Sequence, residues 1–221
     1  MLASASPARR STLLAAGVDP VVRVSAVDED AVVAAAGVSD PADVALLLAR
    51  AKAEDVAAAL EGLPDRDAMA GGALVLGCDS VLELDGDALG KPADAADAVR
   101  RWQRMRGRSG VLHTGHWLVD TRNRDDGGTG GTLGALGSAV VHFADVSDEE
   151  IDAYVATGEP LQVAGAFTID GFGGPFVRGI EGDHHTVVGV SLPLLRELLR
   201  AVGVSWPSLW RPRPNQASSS A

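Results

Sequence analysis

The sequence predicts an α/β fold, a mixed twisted sheet flanked by helices, and three observations carry this expectation. Helix starts with clear caps alternate along the chain with short apolar runs of strand length. A hairpin turn sequence, Asp85-Gly86, sits between two such runs, and no internal repeat interrupts the pattern. At 221 residues the chain is long enough to bury a sizeable core.

From the N-terminus, residues 2–4 form a short apolar start, followed by the small-residue turn Ala5-Ser6-Pro7. A helix opens at Arg9 and Arg10 and runs to Ala16, where Gly17 supplies the C-terminal turn. Residues 21–24 read as a strand. Asp40 as N-cap and Pro41 at the first helical position start a longer helix reaching about residue 60. Residues 61–72, with Gly, Pro and several charges, read as a surface loop. The apolar run 73–78, bounded by Gly71-Gly72 and Asp79, reads as a buried central strand. Residues 81–84 and 88–89 bracket the Asp85-Gly86 turn, and a helix follows over 93–105. Strands are expected at 111–119 and 140–143. Between them 122–137, polar and then glycine-rich, reads as a mobile hairpin tip. Ser147 and Glu150 form a capping box for a helix to 156. Residues 166–169 and 176–180 read as strands around the glycine-rich 171–174, and Pro193 starts a last helix to 201. One domain over 1–205 is expected, with a flexible insertion near 122–137 and a disordered tail over 206–221.

Thirty acidic against 19 basic residues leave a formal charge of −11. Binding to a nucleic acid polymer draws most of its affinity from Lys and Arg on phosphates, so this balance argues against it. No run approaches the roughly 18–20 apolar residues a membrane span needs. Cys78 is the sole cysteine, which excludes an intramolecular disulfide framework and suits a reducing cytoplasm. Residues 1–10 lack the apolar core of a signal peptide. A cytoplasmic protein with no membrane partner is expected.

Four segments hold candidate chemistry. Ser4 and Ser6 with Arg9, at a strand-to-helix junction, could cradle an anion; the plainer alternative is an N-cap beside solvated arginines. Asp79, placed after a buried strand, could bind a metal, act as a general base or cap a turn. Gly90-Lys91-Pro92 resembles the end of a Walker loop, but Pro92 stands where Ser or Thr is required, so Lys91 is at most a point charge for a phosphate. The cluster Asp28-Glu29-Asp30 reads as a solvated acidic face or as a source of carboxylates for Mg²⁺. Lys52, on the long helix, normally faces solvent. His113 and His116 lie three apart in a strand and therefore point to opposite faces.

Taken in order, LASASPAR (2–9), LLAAGV (13–18), VDE (27–29), LARAKA (48–53), VLGCDSV (75–81), LGKP (89–92), YVATGEPLQVAG (154–165), IEGD (180–183) and VVGVSLPL (187–194) resemble the Maf family of nucleoside triphosphate pyrophosphatases. The resemblance covers about residues 1–203. It implies a Maf/inosine-triphosphatase-like fold with two lobes around a cleft, a homodimer, and divalent-metal-dependent cleavage (Mg²⁺ or Mn²⁺) between the α- and β-phosphates. The substrate would be a nucleoside triphosphate, noncanonical or modified ones included. Asp79 matches the family's proton acceptor. Ser4, Arg9, Lys52 and Lys91 match residues that contact phosphates or support the site, and Ser6 and Ser80 stand beside them. Glu29, with Asp79, matches a metal-binding or catalytic acid, and Gln162 a residue near the base. Ala8 and Ser80 depart from the arginine and threonine common in the family at positions linked to substrate choice, so the preferred base stays open; Thr186 also stands where the family has asparagine. Because the resemblance also takes in septum-formation proteins, a nucleotide-binding regulator of cell division without turnover is the alternative.

Overall fold

The computed structural model describes residues 1–60 and 71–211. Five strands, β1 (Leu74–Leu84), β2 (Asp87–Leu89), β3 (Ser109–Asp120), β4 (Thr132–Phe143) and β5 (Val177–Glu181), form one sheet in the order β2-β1-β3-β4-β5. Among the described residues every ladder is antiparallel, and parallel pairing is confined to bridges from Leu2 to Val22 and Leu76. The helices are α1 (Pro7–Ala15), α2 (Glu29–Ala36), α3 (Pro41–Ala58), α4 (Ala95–Met105), α5 (Asp148–Ala156), α6 (His184–Val188) and α7 (Leu192–Ala201).

Local signals landed where the chemistry is local. Ser6, Asp40, Ser147 and Ser191 each cap a helix by accepting a backbone N–H, and Ser147 and Glu150 close the capping box. Asp85 and Gly86 adopt φ of 58° and 83°, the pair of positive values a type I′ hairpin turn requires.

Several expectations are corrected. The runs 73–78 and 81–84 are parts of one eleven-residue strand, so Asp79 lies in the middle of β1 and not beyond its end. Residues 21–24 contribute only the Val22 bridge, because no neighbouring strand offers them a ladder. Residues 166–169 form no strand; Ala164–Ala166 is a 3₁₀ turn with Gly165 and Ala166 at positive φ. β4 starts at Thr132, so the last part of the supposed mobile tip, residues 132–137, pairs with β3 from Thr132↔Val119 onward. Trp206–Leu209 forms a 3₁₀ turn, and Arg211 binds the Gly17 carbonyl and Asp19, so the described part of the tail is ordered. The loop expected at 61–72 lies mostly outside the described residues, as does the tail beyond Arg211. α2 and α6 were not expected. Each carries a capping Asp, Asp28 and Asp183, that in sequence reads equally well as a turn.

The end of the β3–β4 hairpin is held by Asp120, which is buried. Its carboxylate accepts from Arg122 Nε and Nη2 at 2.8 and 2.9 Å and from Thr129 N and Oγ1 at 2.9 Å each. The Arg122 hydrogen bonds, foremost, and those from Thr129 hold its pKa far below the ordinary carboxylate value, against burial. A depressed pKa means this stabilisation is complete above the unfolded-state value near 4 and disappears as pH falls through the folded value. Asp120→Asn is expected to cost about 2 kcal/mol in urea unfolding at pH 7. The difference from wild type should shrink as the pH is taken below 4.

The core divides along β1. Leu76 and Cys78 belong to a cluster with Leu2, Leu13, Leu118 and α7. Leu82 and Leu84 belong to a second, built on Trp102, Phe143, Tyr154 and Phe167. Even-numbered residues of β1 share one face, so Ser80 falls between these clusters, at the waist of the molecule. α3 covers the opposite face. Its stripe of Ala45, Ala49 and Ala53, all fully buried, lies directly on Gly115 and Gly77. No helix among the described residues is long and apolar enough to cross a membrane.

Candidate active site

The tight seat of α3 on the sheet brings Lys52 to Asp79. Lys52 Nζ donates to Asp79 Oδ1 and lies 2.7 Å from Glu29 Oε1 on α2. One ammonium thus joins two carboxylates that stand 50 residues apart in sequence. Lys52 and Asp79 are both largely shielded from water, whereas Glu29 is partly open. Burial pushes the pKa of Asp79 up; Lys52 and, beyond it, Arg9 pull it back, and the Glu29 charge adds to the rise. The second Asp79 oxygen, Oδ2, has no hydrogen-bond partner among the described residues. The neighbouring Cys78 is fully buried, its thiol pushed up to about 12, which removes it as a nucleophile at neutral pH.

On the other face of β1, Arg9 is fixed by three acceptors. Its Nε donates to Gly189 O at 2.8 Å, Nη1 to Ser4 Oγ at 2.9 Å and Nη2 to Ser80 Oγ at 3.1 Å. A guanidinium has five N–H groups, so one on each Nη is left for an anion. Gly189 sits at φ +118°, and a Cβ there would meet Arg9 Nε at 3.0 Å, so this position needs a glycine. Ser80 Oγ also meets Thr114 Oγ1 at 2.9 Å, and Thr114 Oγ1 donates to Thr186 O at 2.8 Å. The hydroxyl at position 80 is therefore oriented from behind.

Both halves open at one edge of β1. Leu76 pairs with Met1 and Ala3 on that edge and Leu82–Leu84 pair with β2, leaving 77–81 without a strand partner there among the described residues. Alternation along a strand aims the N–H and C=O of Cys78 and Ser80 the same way as those of Leu76, into this gap. The Arg9 guanidinium and the Lys52–Asp79–Glu29 cluster thus flank, from opposite faces, the same unpaired stretch of β1.

Of the residues expected from sequence, Ser4, Arg9, Lys52, Asp79, Ser80 and Glu29 are brought together. Ser6 adjoins them, but its hydroxyl caps α1 by accepting from Arg9 N at 3.4 Å. Lys91 is exposed and its side chain touches none of the others; Arg101 and Gly165 hold its loop through the Gly90 carbonyl. Gln162 is exposed at the end of a 3₁₀ turn. Gly189 and Thr114 were not foreseen as contributors, and Thr186 was noted only as standing where the family has asparagine. Thr114 and His116 alternate on β3 and so share a face, with His113 on the other. Among the described residues no three His, Cys, Asp or Glu side chains cluster as a metal cage. Glu29 and Asp79 are the two hard-oxygen donors that meet, and such pairs suit a cation whose remaining ligands are water and phosphate.

The profile of the family described as "Maf-like protein" matches residues 1–202. A nucleoside triphosphate pyrophosphatase of Salinispora tropica is 59% identical over 211 residues, covering 95% of this chain and 86% of that protein. Proteins of the same name from Streptomyces avermitilis and Mycobacterium ulcerans are 53% and 47% identical, and each alignment covers at least 95% of both chains.

Proposed function

We propose, from the premise that this chain belongs to the Maf family, that it hydrolyses nucleoside triphosphates to nucleoside monophosphate and pyrophosphate. The observation that carries the reading is the pairing, at one open strand edge, of a buried carboxylate held by Lys52 with an arginine keeping two N–H groups unspent.

A water attacks the α-phosphorus, the bond from it to the α–β bridging oxygen breaks, and pyrophosphate leaves. Asp79 takes the proton of that water on Oδ2, the oxygen Lys52 does not hold. A carboxylate whose pKa is raised by burial is a better base near neutral pH than an exposed one. Lys52 keeps it ionised and in place. Arg9, with Ser4, Ser6 and Ser80 around it, binds the phosphate chain, and Lys91 adds charge from its loop. Gln162 faces the base end of the substrate. A divalent cation, Mg²⁺ or Mn²⁺, held by Glu29 and Asp79 would neutralise phosphate oxygens and acidify bound water. A homodimer in the cytoplasm belongs to the same reading.

Purified protein given a panel of canonical and modified nucleoside triphosphates with Mg²⁺ or Mn²⁺ is expected to release monophosphate and pyrophosphate in equal amounts. Ion-exchange chromatography separates the products. Orthophosphate as the only direct product would overturn the bond assignment. Nucleotide binding without turnover across the panel would favour a regulatory protein instead.

A further inference from the structure

We infer that His116 is a positioning residue for Arg9: by binding Ser191 it holds the turn whose carbonyl fixes the guanidinium. The inference rests on the reading of Arg9 as a phosphate-binding residue.

His116 is fully buried on β3. Its Nδ1 lies 3.0 Å from Thr114 O, and a carbonyl can only accept, so Nδ1 carries the proton. Nε2 is then bare and accepts the Ser191 N–H at 2.8 Å. This leaves the ring neutral, because a proton on Nε2 would face a second donor. Burial acts in the same direction, lowering the pKa of His116 to about 4.

Ser191 is the N-cap of α7, and two residues before it Gly189 offers its carbonyl to Arg9 Nε. The short turn between them is pinned at each step. The Gly189 and Val190 N–H groups bond to carbonyls of α6, Val190 is fully buried, and Ser191 ends on His116. Of the three anchors of Arg9, Ser4 and Ser80 are hydroxyls on rotatable side chains. Gly189 O is part of the backbone and takes the Nε–H, so a shift of this turn tilts the guanidinium and redirects its two unspent N–H groups. Without an acceptor from His116, the Ser191 N–H would be buried and unpaired, and the turn would shift to find another. That shift passes directly to Arg9.

The test is steady-state kinetics with a triphosphate that the wild type hydrolyses, alongside thermal unfolding. His116→Leu, which removes the acceptor, is expected to raise KM about tenfold and change kcat less than twofold. His116→Gln, which offers an amide oxygen in its place, should stay within about twofold of wild type in both. Ser191→Pro, compatible with φ −70° at that position, deletes the same hydrogen bond from the other side and should raise KM relative to Ser191→Ala, which keeps the N–H. In an Arg9→Ala background, His116→Leu should raise KM no further, since the group it positions is gone. An unchanged KM in folded His116→Leu and Ser191→Pro, or an equal effect with and without Arg9, overturns the placement of His116. Absence of turnover in the wild type overturns instead the reading of the site on which it rests.

Discussion

Asp79→Asn is expected to lower kcat about a thousandfold while leaving nucleotide affinity within a few-fold of wild type. Asparagine matches the carboxylate in size and can still accept from Lys52, so the site keeps its shape. What disappears is the ability to take a proton. Lys52 retains Glu29 at 2.7 Å, so no buried ammonium is left alone and the fold should tolerate the change. Replacing Lys52 would be a less clean experiment. It would leave Asp79 buried beside another carboxylate with no cation between them, mixing a stability loss with the chemical one. Single-turnover rates and calorimetric titration of the nucleotide separate the two effects of Asp79→Asn. Turnover near the wild-type rate would remove Asp79 as the proton acceptor.

The position of Asp79 also marks where sequence reasoning stops. A carboxylate in mid-strand, with both faces of the sheet covered, has no local rationale, so residues 73–78 and 81–84 read as two elements with Asp79 between them. The rationale is Lys52, 27 residues upstream in sequence and adjacent only once α3 lies on β1. The same holds for Thr132 to Ser138. Read locally, glycines at 134 and 137 suggest a loop. In the structure Gly134 lies under the ring of Trp117 and Gly137 against Thr186, so a cross-strand and a cross-sheet neighbour explain what the local pattern does not. Residues 21–24 and 166–169 fail in the opposite direction. Their β-branched and apolar composition suits a strand, but composition cannot supply a partner.

Elements whose cause is local were legible. Asp40-Pro41, the Ser147–Glu150 box and the Asp85-Gly86 turn each act through hydrogen bonds or dihedral angles within four residues. The residues of the candidate site were singled out through the motifs resembling the Maf family. Their arrangement was not legible: it required the knowledge that Asp79 and Ser80, as neighbours on a strand, face opposite sides and collect Lys52 from one and Arg9 from the other.

Gly115→Ala should test the contact on which this arrangement depends, with an expected cost of about 3 kcal/mol in stability. Gly115 is the cross-strand partner of Asp79, under α3. A Cβ at position 115 would fall 2.3 Å from Ala45 O and 2.7 Å from Leu46 Cα. These are backbone atoms of a helix, so no side-chain rotation relieves the overlap, and α3 must lift from the sheet. Alanine also restricts the unfolded chain, which favours folding by about 0.4–1 kcal/mol, too little to offset the clash. Because Lys52 rides on α3 two turns further along, lifting the helix draws the ammonium away from Asp79. Activity should therefore fall even where the variant is fully folded. Gly71→Ala is the matched control, since among the described residues outside its chain neighbours its added Cβ would come no closer than 3.8 Å to any atom, and it should change stability by less than about 0.5 kcal/mol. Urea midpoints for the two variants, with kcat measured well below the lower one, decide the matter. An unchanged midpoint for Gly115→Ala would mean that α3 does not lie as close to the sheet as this architecture requires.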